Sequence, residues 1–184
     1  MSKATLRATL FARRDLLAEQ VRYGFSNLIC RYLLDQLPTT QINIGSYVAH
    51  GSEVTLELFH QQIFSSHHQL FVPRIQSRTE MEMSRLASET DLVKGRFGIQ
   101  TSKQDQTSPF DSLNWLIMPC TGFDRRGHRL GMGEGFYDRA LEKCSQSSPL
   151  KIGVSFNCQE IEFEPDDWDV PFNWILTETG FIRQ

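Results

Sequence analysis

Apolar positions Leu6, Leu10, Leu17 and Val21 recur at spacings that keep one stripe apolar, and predict a helix over about residues 3–22. Gly24 interrupts that pattern. Ser26 can cap a second helix reaching about Leu37, which Pro38 stops. Residues 42–48 mix apolar and small side chains and predict a short strand, followed by the turn His50-Gly51-Ser52. From Glu53 to about His68 the spacing of Leu56, Phe59 and Ile63 predicts another helix, with Glu53 at its start. Residues 70–75 and 81–86 predict strands, the second with clean alternation. Residues 92–99, with Gly95 and Gly98, and the polar stretch 101–109 predict loops. Trp115 to Met118 is a compact apolar run closed by Pro119, the pattern of a buried central strand. A helix over about 134–147, strands over 151–156 and 173–177, and a loop over 165–171 complete the order. The alternation predicts an α/β layered fold: one domain over residues 1–184, with a central, largely parallel or mixed sheet flanked by helices. In such folds ligands collect beyond the carboxyl ends of the strands.

Composition narrows the function classes. The 184 residues carry a net charge of −3, so the surface as a whole does not attract nucleic acid. An anionic ligand must then meet a local basic patch. The four cysteines, Cys30, Cys120, Cys144 and Cys158, form no C-x-x-C pair, which argues against a zinc or redox motif. His60, His67 and His68 lack a carboxylate or cysteine at ligand spacing. A charged, amphipathic start and the lack of a membrane-length apolar run predict a cytoplasmic protein with no membrane partner, expected to be a monomer.

The chemistry concentrates in GFDRRGHRLGMGEGFYDRAL, residues 122–141. Gly131, Gly133 and Gly135 alternate, preceded by Arg125, Arg126 and Arg129 and followed by Phe136, Tyr137, Asp138 and Arg139. Alternating glycines permit positive φ and leave bare N–H groups that can form an anion-binding concavity. The stretch is neither a Walker A loop nor the dinucleotide fingerprint, because its closing residues and glycine spacing differ. A tight glycine turn would give the same spacing, but such a turn does not need the arginines or Tyr137-Asp138. Lys3, Arg7 and Arg14 share one face of the first helix, either a solvated basic face or a source of cations for phosphates held elsewhere.

These residues resemble the signature of the 5-formyltetrahydrofolate cyclo-ligase family, also called 5,10-methenyltetrahydrofolate synthetases. The resemblance is carried by Pro119, Phe123-Asp124 and the run from Arg129 to Asp138, and it extends to Lys3 and Arg7, Glu53-Val54, Pro73-Arg74, Met81-Glu82-Met83, Phe97-Gly98-Ile99, Trp168-Asp169-Val170-Pro171 and Thr177-Glu178. It implies ATP- and magnesium-dependent closure of 5-formyltetrahydrofolate, with or without a polyglutamate tail, to 5,10-methenyltetrahydrofolate. It further implies that Lys3, Arg7, Arg129, Leu130, Gly131, Met132, Gly133, Glu134, Gly135, Phe136 and Tyr137 bind ATP. By the same resemblance Asp138 holds Mg2+, Tyr47, Glu53, Met83 and Phe97 bind the substrate, and Arg129, Tyr137 and Asp138 carry the catalysis. The chain departs from the family pattern at Thr101, Asn114, Glu134 and Asn173. A folate- or nucleotide-binding relative without turnover is the alternative those departures leave open.

Overall fold

The computed structural model describes residues 1–142, 144, 149–166 and 169–183. Its main sheet has eight strands. They are β1 (Asn43–Gly45), β2 (Gln69–Ile75), β3 (Met81–Arg85), β6 (Thr107–Ser108), β7 (Trp115–Pro119), β10 (Leu150–Val154), β11 (Trp174–Thr177) and β12 (Gly180–Arg183). Two small hairpins lie outside it: β4 (Leu92–Lys94) with β5 (Gln100–Ser102), and β8 (Gly122–Phe123) with β9 (Arg129–Leu130). The helices are α1 (Lys3–Asp15), α2 (Glu19–Asp35), α3 (Glu57–Phe64) and α4 (Phe136–Leu141). In the order β12-β11-β10-β7-β1-β2-β3-β6, the five strands from β11 to β2 run parallel and both flanks are antiparallel. The expected α/β architecture with a mixed, largely parallel sheet is therefore present.

Strand alternation divides the core between the two sheet faces. Trp115 and Ile117 of β7, Leu70 and Val72 of β2, and Ile152 and Val154 of β10 pack under α2 and α3 through Ile29, Leu33, Phe59 and Ile63. Leu116 and Met118 of β7 and Phe71 of β2 face the other way, toward Met83, Phe110, Leu141 and Phe172. Gly153 makes the second face possible: a Cβ there would lie 2.2 Å from the Phe172 ring. Each fully buried large side chain contributes about 1.5–3 kcal/mol of transfer free energy.

The first helix is shorter than its apolar stripe predicts. It stops at Leu16, and α2 starts afresh after Ala18 and runs through Gly24. The two helices bury different faces against different partners, which one straight axis cannot do. Leu6 and Leu10 pack on Leu130 and Phe163, whereas Ile29, Cys30 and Leu33 pack on the sheet. A mid-helix glycine costs about 1 kcal/mol, which that burial exceeds. Ser26, expected as a cap, is buried inside α2, where its hydroxyl accepts the Thr55 N–H at 3.2 Å.

Glu53 does not open a helix. The helix begins at Glu57, and the Glu53 carboxylate folds back to accept the His50 N–H at 2.9 Å. The two stretches expected as loops contain β4, β5 and β6. Their polar residues hid the strands, because the buried hydroxyls bond to carbonyls of neighbouring segments. Thr101 donates to Pro73 O at 2.7 Å, and Ser102 donates to Arg85 O. The final strand β12 follows the turn at Gly180, φ 113°, and was not expected. The helix expected to about residue 147 is observed as α4; residues 143 and 145–148 lie outside the described residues, as do Asp167 and Trp168.

Candidate active site

Strand β7 ends at Pro119, and the chain passes directly into the β8–β9 hairpin. Asp124 organises the hairpin turn. Its buried carboxylate accepts the Arg126 and His128 N–H groups, both at 2.9 Å, and also contacts Arg126 Nε and His128 Nδ1. Burial alone would raise this carboxyl; the His128 and Arg126 hydrogen bonds outweigh it and hold it below the usual carboxylate range. Helix α1 lies on the hairpin so closely that a Cβ on Gly122 would come 2.5 Å from Leu10 Cδ1. Leu130 is buried against Leu6, Leu10 and Phe163 and anchors the base of the glycine loop.

Beyond Leu130 the glycine loop turns outward. Gly133 (φ 102°) and Gly135 (φ 65°) take conformations that favour glycine. Arg7 reaches this loop from α1: its Nε donates to Gly131 O at 2.7 Å, and its guanidinium lies 3.4 Å from the Cβ position of Gly133. Met132 and Glu134 are exposed, so the Glu134 carboxylate faces solvent, while its carbonyl accepts from Arg139 at 2.7 Å. Phe136 and Tyr137 open α4, half-buried. Lys3, one turn earlier on α1, is not free. Its ammonium contacts Asp166 at 2.6 Å and Asp169 at 2.9 Å, and these ion pairs raise its pKa against the lowering effect of burial.

Arg129 is the buried centre of the site. It pairs with Asp138, donates to Met118 Sδ at 3.0 Å, and lies 5.6 Å from the Tyr137 ring centroid. Phe172 packs its ring on the same guanidinium at 5.8 Å. The Tyr137 hydroxyl is held neutral: burial raises its pKa most, Arg129 opposes, and the Glu53 charge raises it again. Burial also pushes up Tyr47 and takes Cys120 to about 12, and the Glu53 charge adds to both. Glu53, Tyr47, Cys120 and Tyr137 thus form one electrostatic neighbourhood. Burial raises Glu53 above the usual carboxylate range, partly offset by the His50 N–H and by Arg14.

The expected substrate residues separate. Glu53 and Tyr47 face this neighbourhood, with the Tyr47 hydroxyl donating to Val54 O at 2.7 Å. Met83 is fully buried in the core, and Phe97 is 66% exposed on the β4–β5 hairpin at φ 57°. Three of the residues that depart from the family pattern make hydrogen bonds between segments of the fold. Thr101 stitches β5 to β2, Asn114 accepts the Asn43 N–H at 2.8 Å, and Asn173 accepts the Lys151 N–H at 2.8 Å near the start of β10. The sequence assigned no role to Asp124, Phe172 or Ser52, although Phe123-Asp124 carries part of the resemblance and Ser52 falls in the predicted turn; Asp124, in an Asp-Arg-Arg-Gly turn, left a local signal. A cavity of about 530 Å³ lies beside the amino end of α1, lined by Met1, Lys3, Leu6, Arg126, Glu162, Phe163 and Glu164.

The family model described as the 5-formyltetrahydrofolate cyclo-ligase family matches residues 1–178. The chain belongs to this family. A cyclo-ligase of Haemophilus influenzae is 29% identical over 177 residues, covering 93% of this chain and 91% of that protein. The Mus musculus cyclo-ligase is 27% identical over 185 residues, covering 92% and 91%. The solved 5,10-methenyltetrahydrofolate synthetase of Aquifex aeolicus superposes with a TM-score of 0.84 at 28% identity, over 100% of this chain and 93% of that one. The Mycoplasma pneumoniae synthetase, 23% identical with a TM-score of 0.80 over 97% and 99% of the two chains, shares the fold. Among the described residues, no helix is long and apolar enough to cross a membrane.

Proposed function

We propose that this chain is a working 5-formyltetrahydrofolate cyclo-ligase, which closes 5-formyltetrahydrofolate to 5,10-methenyltetrahydrofolate at the expense of ATP. The formyl oxygen attacks the γ-phosphorus, and ADP leaves. N10 of the folate then attacks the activated formyl carbon and loses its proton. The carbon–oxygen bond breaks, releasing phosphate and the methenyl product. Little covalent chemistry falls to the protein, which positions the groups and stabilises charge.

The single observation that carries this reading is that Tyr137 feels both the Arg129 cation, which pairs with Asp138 beside the glycine loop held by Arg7, and the Glu53 charge. We assign the Gly131–Gly135 backbone, Arg7 and Arg129 to the triphosphate, with Lys3 joining once it exchanges Asp166 and Asp169 for phosphate. The Glu53 carboxylate accepts N–H bonds from the pterin, and Tyr47 forms the floor beneath it. Tyr137, kept neutral, stands between the two substrates.

Asp138 fits magnesium. Arg129 takes its Oδ1, leaving the other carboxylate oxygen for the metal, and magnesium is commonly held by one or two carboxylates together with phosphate oxygens. No group of three or more His, Cys, Asp or Glu that could hold a metal occurs among the described residues, so phosphate and water must complete the shell. Bound there, magnesium neutralises charge on the transferring phosphoryl group.

The test is the appearance of the methenyl chromophore when purified protein receives ATP, magnesium and 5-formyltetrahydrofolate. Absorbance must rise with stoichiometric ADP. No rise above a boiled control, with folate still bound, would support the alternative of a binding protein without turnover.

A further inference from the structure

We infer that Arg14, at the far end of the α1 cationic face, is a positioning residue that sets the Glu53 carboxylate for the folate. The inference rests on the reading above that Glu53 accepts from the pterin. Lys3, Arg7 and Arg14 are four and seven residues apart, so one face of α1 carries all three. At the helical rise, Arg7 and Arg14 stand about 10 Å apart along the axis. Arg7 meets the glycine loop, and Arg14 meets the turn that carries Glu53.

Arg14 is 6% exposed, deep for a guanidinium, and burial of such a charge is costly unless it is answered. Its Nε donates to Ser52 Oγ at 2.9 Å, and the Ser52 hydroxyl in turn donates to Asp15. Its guanidinium carbon lies 5.1 Å from the Phe11 ring centroid. Ser52 immediately precedes Glu53, and the Glu53 carboxylate is tied to the His50 N–H. The turn is therefore fixed from α1 on one side and from its own backbone on the other.

Arg14 and Glu53 form no direct ion pair, unlike Arg129 and Asp138. The arrangement steadies the turn through Ser52 and leaves Glu53 Oε1, the oxygen not bonded to the His50 N–H, for a ligand. Arg14 also opposes the effect of burial on the Glu53 carboxyl and favours its charged form. The other titratable groups that interact with Glu53 are His50, Tyr47, Tyr137 and Cys120.

The experiment measures kcat, both KM values and melting temperature for wild type, Arg14→Gln, Arg14→Lys, Ser52→Ala and Glu53→Gln. It also follows 5-formyltetrahydrofolate binding without ATP from acid to neutral pH. Arg14→Gln is expected to raise the folate KM about tenfold, with the ATP KM changed less than about twofold. The acid limb of folate binding, where Glu53 takes a proton, moves upward by about half a pH unit or more, because the opposing cation is gone. Arg14→Lys keeps that limb at the wild-type pH, and Ser52→Ala raises the folate KM severalfold.

A wild-type folate KM and acid limb in Arg14→Gln, while Glu53→Gln loses folate, would overturn the positioning role and leave the Glu53 assignment standing. Wild-type folate binding in Glu53→Gln removes the assignment itself, and the inference with it. If Arg14→Gln does not fold, the other two variants decide. A shifted limb in Arg14→Lys, or an unchanged folate KM in Ser52→Ala, overturns the role.

Discussion

The two ends of α1 meet different surroundings. At the amino end, Arg7 meets a loop of exposed or half-exposed backbone, where Gly133 and Gly135 present main chain rather than side chains. At the carboxyl end, Arg14 meets a turn whose acidic residue is raised by burial and surrounded by Tyr47, Cys120 and Tyr137. The first end suits a highly charged, hydrated triphosphate, which needs many donors. The second suits a flat heterocycle, which needs one well-placed acceptor in a drier setting. Arg129 links them: it pairs with Asp138, lies against the Tyr137 ring, and opposes at Tyr137 the effect of the Glu53 charge.

The largest effect is therefore expected where the two ends meet. Arg129→Ala should lower kcat by about a hundredfold to a thousandfold, the usual cost of one transition-state charge partner. It should do so with folate and ATP both saturating, and an initial-rate assay checks it. Glu53→Gln should separate the ends: the folate KM rises about tenfold to a hundredfold while the ATP KM is unchanged. Steady-state kinetics with each substrate varied in turn shows whether the separation is real.

Gly133→Ala should give the mirror image. A methyl group at φ 102° strains the backbone although it would only touch the Arg7 guanidinium, and the loop relaxes by moving. The ATP KM should rise about tenfold, with a strain of about 1–2 kcal/mol visible in denaturant unfolding.

The smallest effect is on stability. His60 shares a 2.8 Å hydrogen bond with Ser46, which follows β1, and burial lowers its pKa to about 4. The unfolded histidine takes its proton near pH 6.5, the folded one only near 4, so stability present above that window is lost as pH falls through it. About 1 kcal/mol should be gone by pH 6. His60→Gln should flatten that slope in a pH series of unfolding curves.

The same contrast explains what could be read before the fold was known. The stretch assigned to the phosphates is written locally: three alternating glycines, flanking arginines and the Tyr137-Asp138 pair all fall within residues 125–139. Central strand β7 was equally plain, because a strand buried on both faces is an unbroken apolar run. The folate end is assembled from distant segments. Arg14 and Ser52 meet only because α1 and the turn after β1 come together, and Glu53 lies in an irregular turn that helical spacing disguised. Met83 and Phe97 carried the resemblance, yet one is fully buried in the core and the other is mostly exposed. Strands β5 and β6 escaped notice because hydrogen-bonded hydroxyls, rather than apolar side chains, fill their buried positions.

The most direct test of a cyclo-ligase with separate phosphate and pterin ends is a matched pair of KM determinations, for ATP and for 5-formyltetrahydrofolate, in Arg7→Ala and Glu53→Gln. Arg7→Ala should raise the ATP KM and leave the folate KM at the wild-type value, and Glu53→Gln should do the reverse. If either variant weakens both substrates equally, the two ends of α1 do not divide the ligands as described.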